Sequence, residues 1–126
     1  MATFVHFAPA SAVAAIRRNG ISPGRNGIFA FPVVPDFRTT HQWLREMRRG
    51  RRETLIAVYF RVPDGERLTF GRFKVKPEVM TAVEAVAAAL SEPTAGFEIV
   101  ISRRIRPPEI KRIKAMPQVT GWRYYP

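Results

Sequence analysis

The sequence predicts an α+β fold: a single domain with a mixed β-sheet core and packed helices. Three observations carry this expectation. First, short β-prone stretches alternate with helical ones in the order β-α-β-α-β-β-α-β-α-β. Second, 126 residues with 46% hydrophobic content are enough for one core. Third, Asp64-Gly65 is a hairpin signal, whereas the other connections are long enough for crossovers.

Ala2–Phe7 alternates and reads as the first strand. Pro9 and Ser11 open a helix to about Arg18, with Val13 and Ile16 on its apolar edge. Asn19-Gly20 stops it, because both residues tolerate a left-handed backbone. Gly27–Phe31 is a short apolar strand, and Thr40–Arg49 reads as a helix with Trp43, Leu44 and Met47 on one side. Thr54–Val62 is apolar on both faces and so belongs inside a sheet. Arg67–Val75 is expected to return as its hairpin partner. Pro77 starts a helix to Leu90, with Val79, Val83, Val86 and Leu90 as its apolar stripe. Phe97–Ser102 is a strand, Pro107–Met116 holds a short helix, and Gly121–Pro126 is a closing strand.

The chain has no cysteine, which excludes disulfides, thiolate metal sites and thiol nucleophiles. Met1 to Ala15 lacks a basic region followed by an apolar run, and no apolar stretch is long enough to span a membrane. The expectation is a bacterial cytoplasmic protein with no membrane partner. Lys and Arg number 21 against 10 Asp and Glu, a net charge of +11. That field favours anionic partners, although an arginine-rich genome would also produce it.

Phosphate-binding loops, GxGxxG and a nucleophile elbow are absent, and the two histidines, His6 and His41, form no metal-spaced pair. Three features remain. Val5-His6-Phe7 places a histidine in the first strand. Gly27-Ile28-Phe29 is an aromatic strand after a glycine loop. Phe97-Glu98-Ile99-Val100-Ile101 sets a carboxylate amid apolar residues, where desolvation makes it count. His6 reads either as a ligand contact or as a satisfied strand histidine, and Phe29 either as a binding wall or as core. Glu98 is either a functional carboxylate or one paired with Arg103 or Arg104.

In order, these features resemble the ADP-ribosyltransferase superfamily of the diphtheria-toxin type, whose motif is His, Tyr and Glu on three strands. Val5-His6-Phe7-Ala8 with Ala12–Ile21 is similar to the opening of DarT-like toxins. Glu98–Ile101, followed by Ile105 and Pro107-Pro108-Glu109-Ile110, is similar to the family's catalytic-Glu strand and the short helix after it. The resemblance implies that NAD is the substrate. Glu98 would stabilise the oxocarbenium-like state, His6 would bond the adenosine-side ribose, and Phe29 would pack on the nicotinamide. Arg17, Arg18 or Arg38 would neutralise the pyrophosphate. It also implies an antitoxin partner for a toxin. Phe29 stands where the family has Tyr, and Ala8 replaces a hydroxyl residue. Gly96 argues against the arginine-modifying subclass.

Two basic clusters bear on the acceptor. Arg45, Arg48, Arg49 and Arg52 line one flank of the second helix if it continues, either as a phosphate track for DNA or RNA or as a solvated face. Arg103, Arg104, Arg106, Lys111, Arg112 and Lys114 form the second, followed by Trp122, Tyr124 and Tyr125. Basic residues interleaved with aromatics suit single-stranded nucleic acid. The alternative to an enzyme is thus a non-catalytic, basic nucleic-acid-binding module or a catalytically inactive relative of the transferases.

Overall fold

A computed structural model describes residues 1–33, 55–72, 75–91 and 97–115. Its strands are β1 (Ala2–Pro9), β2 (Ile28–Pro32), β3 (Leu55–Val62), β4 (Arg67–Arg72), β5 (Val75–Thr81), β6 (Phe97–Ile101) and β7 (Ile110–Ala115). Its helices are α1 (Val13–Asn19) and α2 (Ala82–Ser91), and Ala10–Ala12 and Pro107–Glu109 form 3-10 turns. The expected helix at Thr40–Arg49 and strand at Gly121–Pro126 lie outside the described residues.

The seven strands form one sheet in the order β5-β4-β6-β2-β1-β3-β7. Every neighbouring pair is antiparallel, which corrects the expected mixed sheet within the α+β class. A parallel crossover must carry the chain back along the whole preceding strand. The connection from Pro9 to Ile28 is long enough for that, but the register Phe4↔Pro32 and Val5↔Phe31 shows that the chain enters β2 near the end where it left β1.

Three further expectations are corrected. Asp64-Gly65 is a turn but not a hairpin, because β4 pairs with β5 and β6 while β3 pairs with β1 and β7. The carbonyls of Asp64 and Glu66 instead accept the Val83 and Ala82 N–H groups, two of the orphan donors that begin α2. The segment from Pro77 is not helical until Ala82. Val75–Thr81 is an outermost strand, where Pro77 removes no ladder bond that matters. Thr81 and Glu84 cap α2 reciprocally: the Thr81 N–H donates to Glu84 Oε1 at 2.9 Å, and the Glu84 N–H donates to Thr81 Oγ1 at 3.4 Å. The Thr81 N–H and the Thr81 hydroxyl, both donating to Glu84 Oε1 at 2.9 Å, hold the Glu84 carboxyl below its ordinary pKa. Finally, the helix expected over Pro107–Met116 is one 3-10 turn followed by β7.

The rotation of α2 decides which residues form the core. Ala82, Ala85 and Ala89 face the sheet, while Val83 and Leu90 of the expected apolar stripe are half exposed. Alanine lets the helix approach closely. The helix-bearing side of the sheet holds the main cluster, including Phe4, Ala8, Ile28, Ala30, Val58, Phe60, Ile99 and Ile101. Phe4 and Phe60, Cα partners across β1 and β3, stack with centroids 6.0 Å apart. The reverse face carries a smaller cluster of Val5, Phe7, Leu55 and Ala57, with Phe31 and Tyr59 packed on it.

Arg103 ties the ends of several elements together. Its guanidinium bonds both oxygens of Glu66, at 2.9 and 3.0 Å, and both oxygens of Glu109, at 2.9 and 2.7 Å. Arg103 holds the Glu109 carboxyl well below its ordinary 4.5, at about 2. Because the folded value is depressed, this contribution is complete above about pH 4.5 and is lost as pH falls towards 2. Arg103→Ala is expected to cost about 2 kcal/mol at pH 7, allowing for the partial exposure of the cluster. Urea unfolding from pH 7 to pH 3 checks this: the wild type loses over half of the difference on acidification and the variant does not.

Candidate functional site

The site begins with an opening in the sheet. β1 and β3 pair along their whole length, from Ala2↔Val62 to Pro9↔Leu55. β1 and β2 pair only at Phe4↔Pro32 and Val5↔Phe31. One residue past the last pair, the His6 ring fills the break, with Nδ1 2.7 Å from the Phe29 carbonyl oxygen. The side chain replaces a ladder bond that the parting strands no longer make.

This bond sets the chemistry of the ring. A carbonyl only accepts, so Nδ1 carries the hydrogen. Burial lowers the His6 pKa, against the opposing effect of the Phe29 carbonyl, and the ring is neutral at pH 7. Nε2 is then a hydrogen-bond acceptor of fixed tautomer, suited to a ligand hydroxyl.

Phe29 and Glu98 lie on neighbouring strands. Phe29 is the Cα partner of Val100 across β2 and β6, and Glu98 alternates with Val100 along β6. Both side chains therefore belong to the reverse face of the sheet. Phe31 on that face packs against Phe7 with centroids 5.9 Å apart, but Phe29 remains 46% exposed. Glu98 is half-buried at the middle of the sheet, opposite Gly71 of β4. A Cβ added at Gly71 would lie 3.7 Å from Glu98 Cγ, so the glycine leaves room beside the Glu98 stem.

Glu98 has no ion pair among the described residues. Arg103 is committed to Glu66 and Glu109, and Arg104 donates to the Asn19 carbonyl at 3.0 Å. The pairing weighed from sequence is thus not made, and Glu98 carries no ion pair among the described residues on the same face as the exposed Phe29.

The structure brings His6, Phe29 and Glu98 onto three consecutive strands, β1, β2 and β6. It does not bring all three side chains onto one face: His6 is opposite Val58 and shares the helix-bearing side with Phe4 and Ala8. Its bond to Phe29 spans the opening. Arg17 and Arg18 are exposed on the last turn of α1, whose Ile16 packs into the helix-side core. They stand away from the Phe29–Glu98 face. Arg38, Arg45, Arg48, Arg49 and Arg52 lie outside the described residues.

Sequence reasoning missed Tyr59 and Arg61 as surface residues. They share the reverse face two positions apart, and Arg112 and Lys114 of β7 stand opposite Tyr59 and Ala57. Alternation along Thr54–Val62 could have shown the first pair. Placing residues 107–116 in a helix hid the second.

No family model, curated protein or solved structure matches the chain. No helix among the described residues is long and apolar enough to cross a membrane.

Proposed function

We propose that the chain is a cytoplasmic, NAD-dependent ADP-ribosyltransferase-like domain, with its site at the β1–β2–β6 opening. The observation that carries this reading is the His6–Phe29 link at the break in the ladder, with Glu98, which makes no ion pair among the described residues, on the next strand. In the reaction, the bond between the nicotinamide nitrogen and ribose C1′ breaks, and its electron pair leaves with nicotinamide. The acceptor nucleophile bonds C1′ and gives up its proton. Glu98 stabilises the positive charge that develops on the ribose. Phe29 offers an aromatic wall without the hydroxyl of the family's Tyr, and His6 Nε2 accepts from a ribose hydroxyl.

Calorimetric titration with NAD tests the binding half of this reading. Saturable binding is expected, weakened about tenfold in His6→Ala, which lacks the acceptor. Thermal shift measured in parallel checks that the variant is folded. No binding at millimolar NAD to the folded wild type would overturn the reading.

A further inference from the structure

The reverse face of β3 and β7 carries a cationic strip that the proposed NAD site does not use. Arg61, Arg112 and Lys114 are all exposed, and none has a carboxylate partner among the described residues. No Asp or Glu occurs on β1, β3 or β7. Tyr59 sits among these cations, directly opposite Arg112 and two positions from Arg61, and is only partly buried.

The strand geometry fixes their spacing. Arg112 and Lys114, and likewise Tyr59 and Arg61, stand about 6.7 Å apart along their strands, and the two strands are about 4.8 Å apart. A row of cations is therefore set beside an aromatic ring on one face of the β3–β7 ladder. Lys111, the extra residue of the β7 bulge, reaches back to the Pro108 carbonyl at 3.4 Å instead of joining the row.

We propose that Arg61, Tyr59, Arg112 and Lys114 form a binding platform for single-stranded nucleic acid. The cations match a phosphate backbone, and Tyr59 stacks on an unpaired base, a face that a duplex does not present. The platform is independent of the NAD reading, because its residues lie on β3 and β7 and Glu98 on β6.

Fluorescence anisotropy on the whole chain tests it, with labelled 15-residue oligo-dT and oligo-rU and a DNA duplex of the same length as probes. Expected is tighter binding to at least one single strand than to the duplex. The triple variant Arg61→Gln/Arg112→Gln/Lys114→Gln should lose at least tenfold in affinity. Its slope of log K against log salt should fall by about 2, near 0.7 per cation removed. Tyr59→Ala should lose about fivefold or more. The triple variant Arg25→Gln/Arg67→Gln/Lys76→Gln makes the same charge change elsewhere and should bind within twofold of wild type. Glu98→Ala should bind the oligonucleotide normally, so failure of the NAD reading leaves this one standing. Equal losses in the two triple variants, duplex binding as tight as single-strand binding, or no binding at low salt would each overturn the proposal.

Discussion

On the proposed transferase reading, Glu98→Ala is expected to lower the rate of nicotinamide release from NAD by about 10³-fold while leaving the fold unchanged. The size follows from the role that reading gives Glu98, a carboxylate stabilising a developing cation in a partly desolvated site. The stability half follows from the packing: Glu98 makes no ion pair among the described residues and faces the side-chain-free Gly71, so truncation stays within about 0.5 kcal/mol. Release of nicotinamide is followed chromatographically with water as acceptor, and the melting temperature in parallel. Glu98→Gln separates two roles. Gln keeps the volume and the acceptor oxygen but not the charge. If charge stabilisation dominates, Gln is nearly as slow as Ala; if the carboxylate mainly positions a ribose hydroxyl, Gln retains most of the rate. Glu98→Ala acting at the wild-type rate would remove Glu98 from the chemistry.

Strand content was more legible in the sequence than strand pairing. β1, β2, β3 and β6 lie within a residue or two of the alternating segments that announce them. The failures came where one local signal competes with another. Val79, Val83, Val86 and Leu90 fit a helical stripe, yet Val79 belongs to β5 and the helix turns its alanines inward. Thr81-Ala82-Val83-Glu84 was the better signal, since a Thr followed three residues on by Glu marks a helix start. Asp64-Gly65 is a turn in either topology. Which strand comes next in the sheet depends on edges already taken by β1 and β7, and no local pattern contains that.

The candidate site was legible as residue types on strands, but not as a constellation. His6, Phe29 and Glu98 stand out by type, and the structure makes their strands neighbours. The parting of β1 from β2 cannot be read from Phe4–Pro9 or Ile28–Pro32, because it depends on how the two ladders flanking the opening diverge. The fate of Arg103 was equally hidden. Five residues from Glu98 it looked like a partner, but it reaches Glu66, 37 residues earlier in the chain, and Glu109 instead.

Gly20→Ala is expected to be the most damaging small substitution in the described chain, costing at least about 3 kcal/mol. Gly20 ends α1 with φ +80 and ψ −166, a conformation that L side chains rarely adopt. An added Cβ would also collide with the Ile105 carbonyl oxygen, and would lie 3.2 Å from the Arg106 Cα. These are backbone atoms and cannot swing aside. They belong to the junction where Ile21 and Ile105 exchange hydrogen bonds of 2.8 and 3.0 Å, joining the exit of α1 to the exit of β6. Relief would require parting that junction, and with it the Arg104 contact to Asn19 and the buried Ile21 and Ile105. A fall of about 10 °C or more in melting temperature is expected by circular dichroism. Gly24→Ala provides the comparison: φ is +60 there, but nothing lies within 4 Å of the added Cβ, so only backbone strain of about 1 kcal/mol remains. Equal losses at the two positions would mean that positive φ alone sets the cost. A clearly larger loss at Gly20 would assign the difference to the close approach of α1 and the β6–β7 connection.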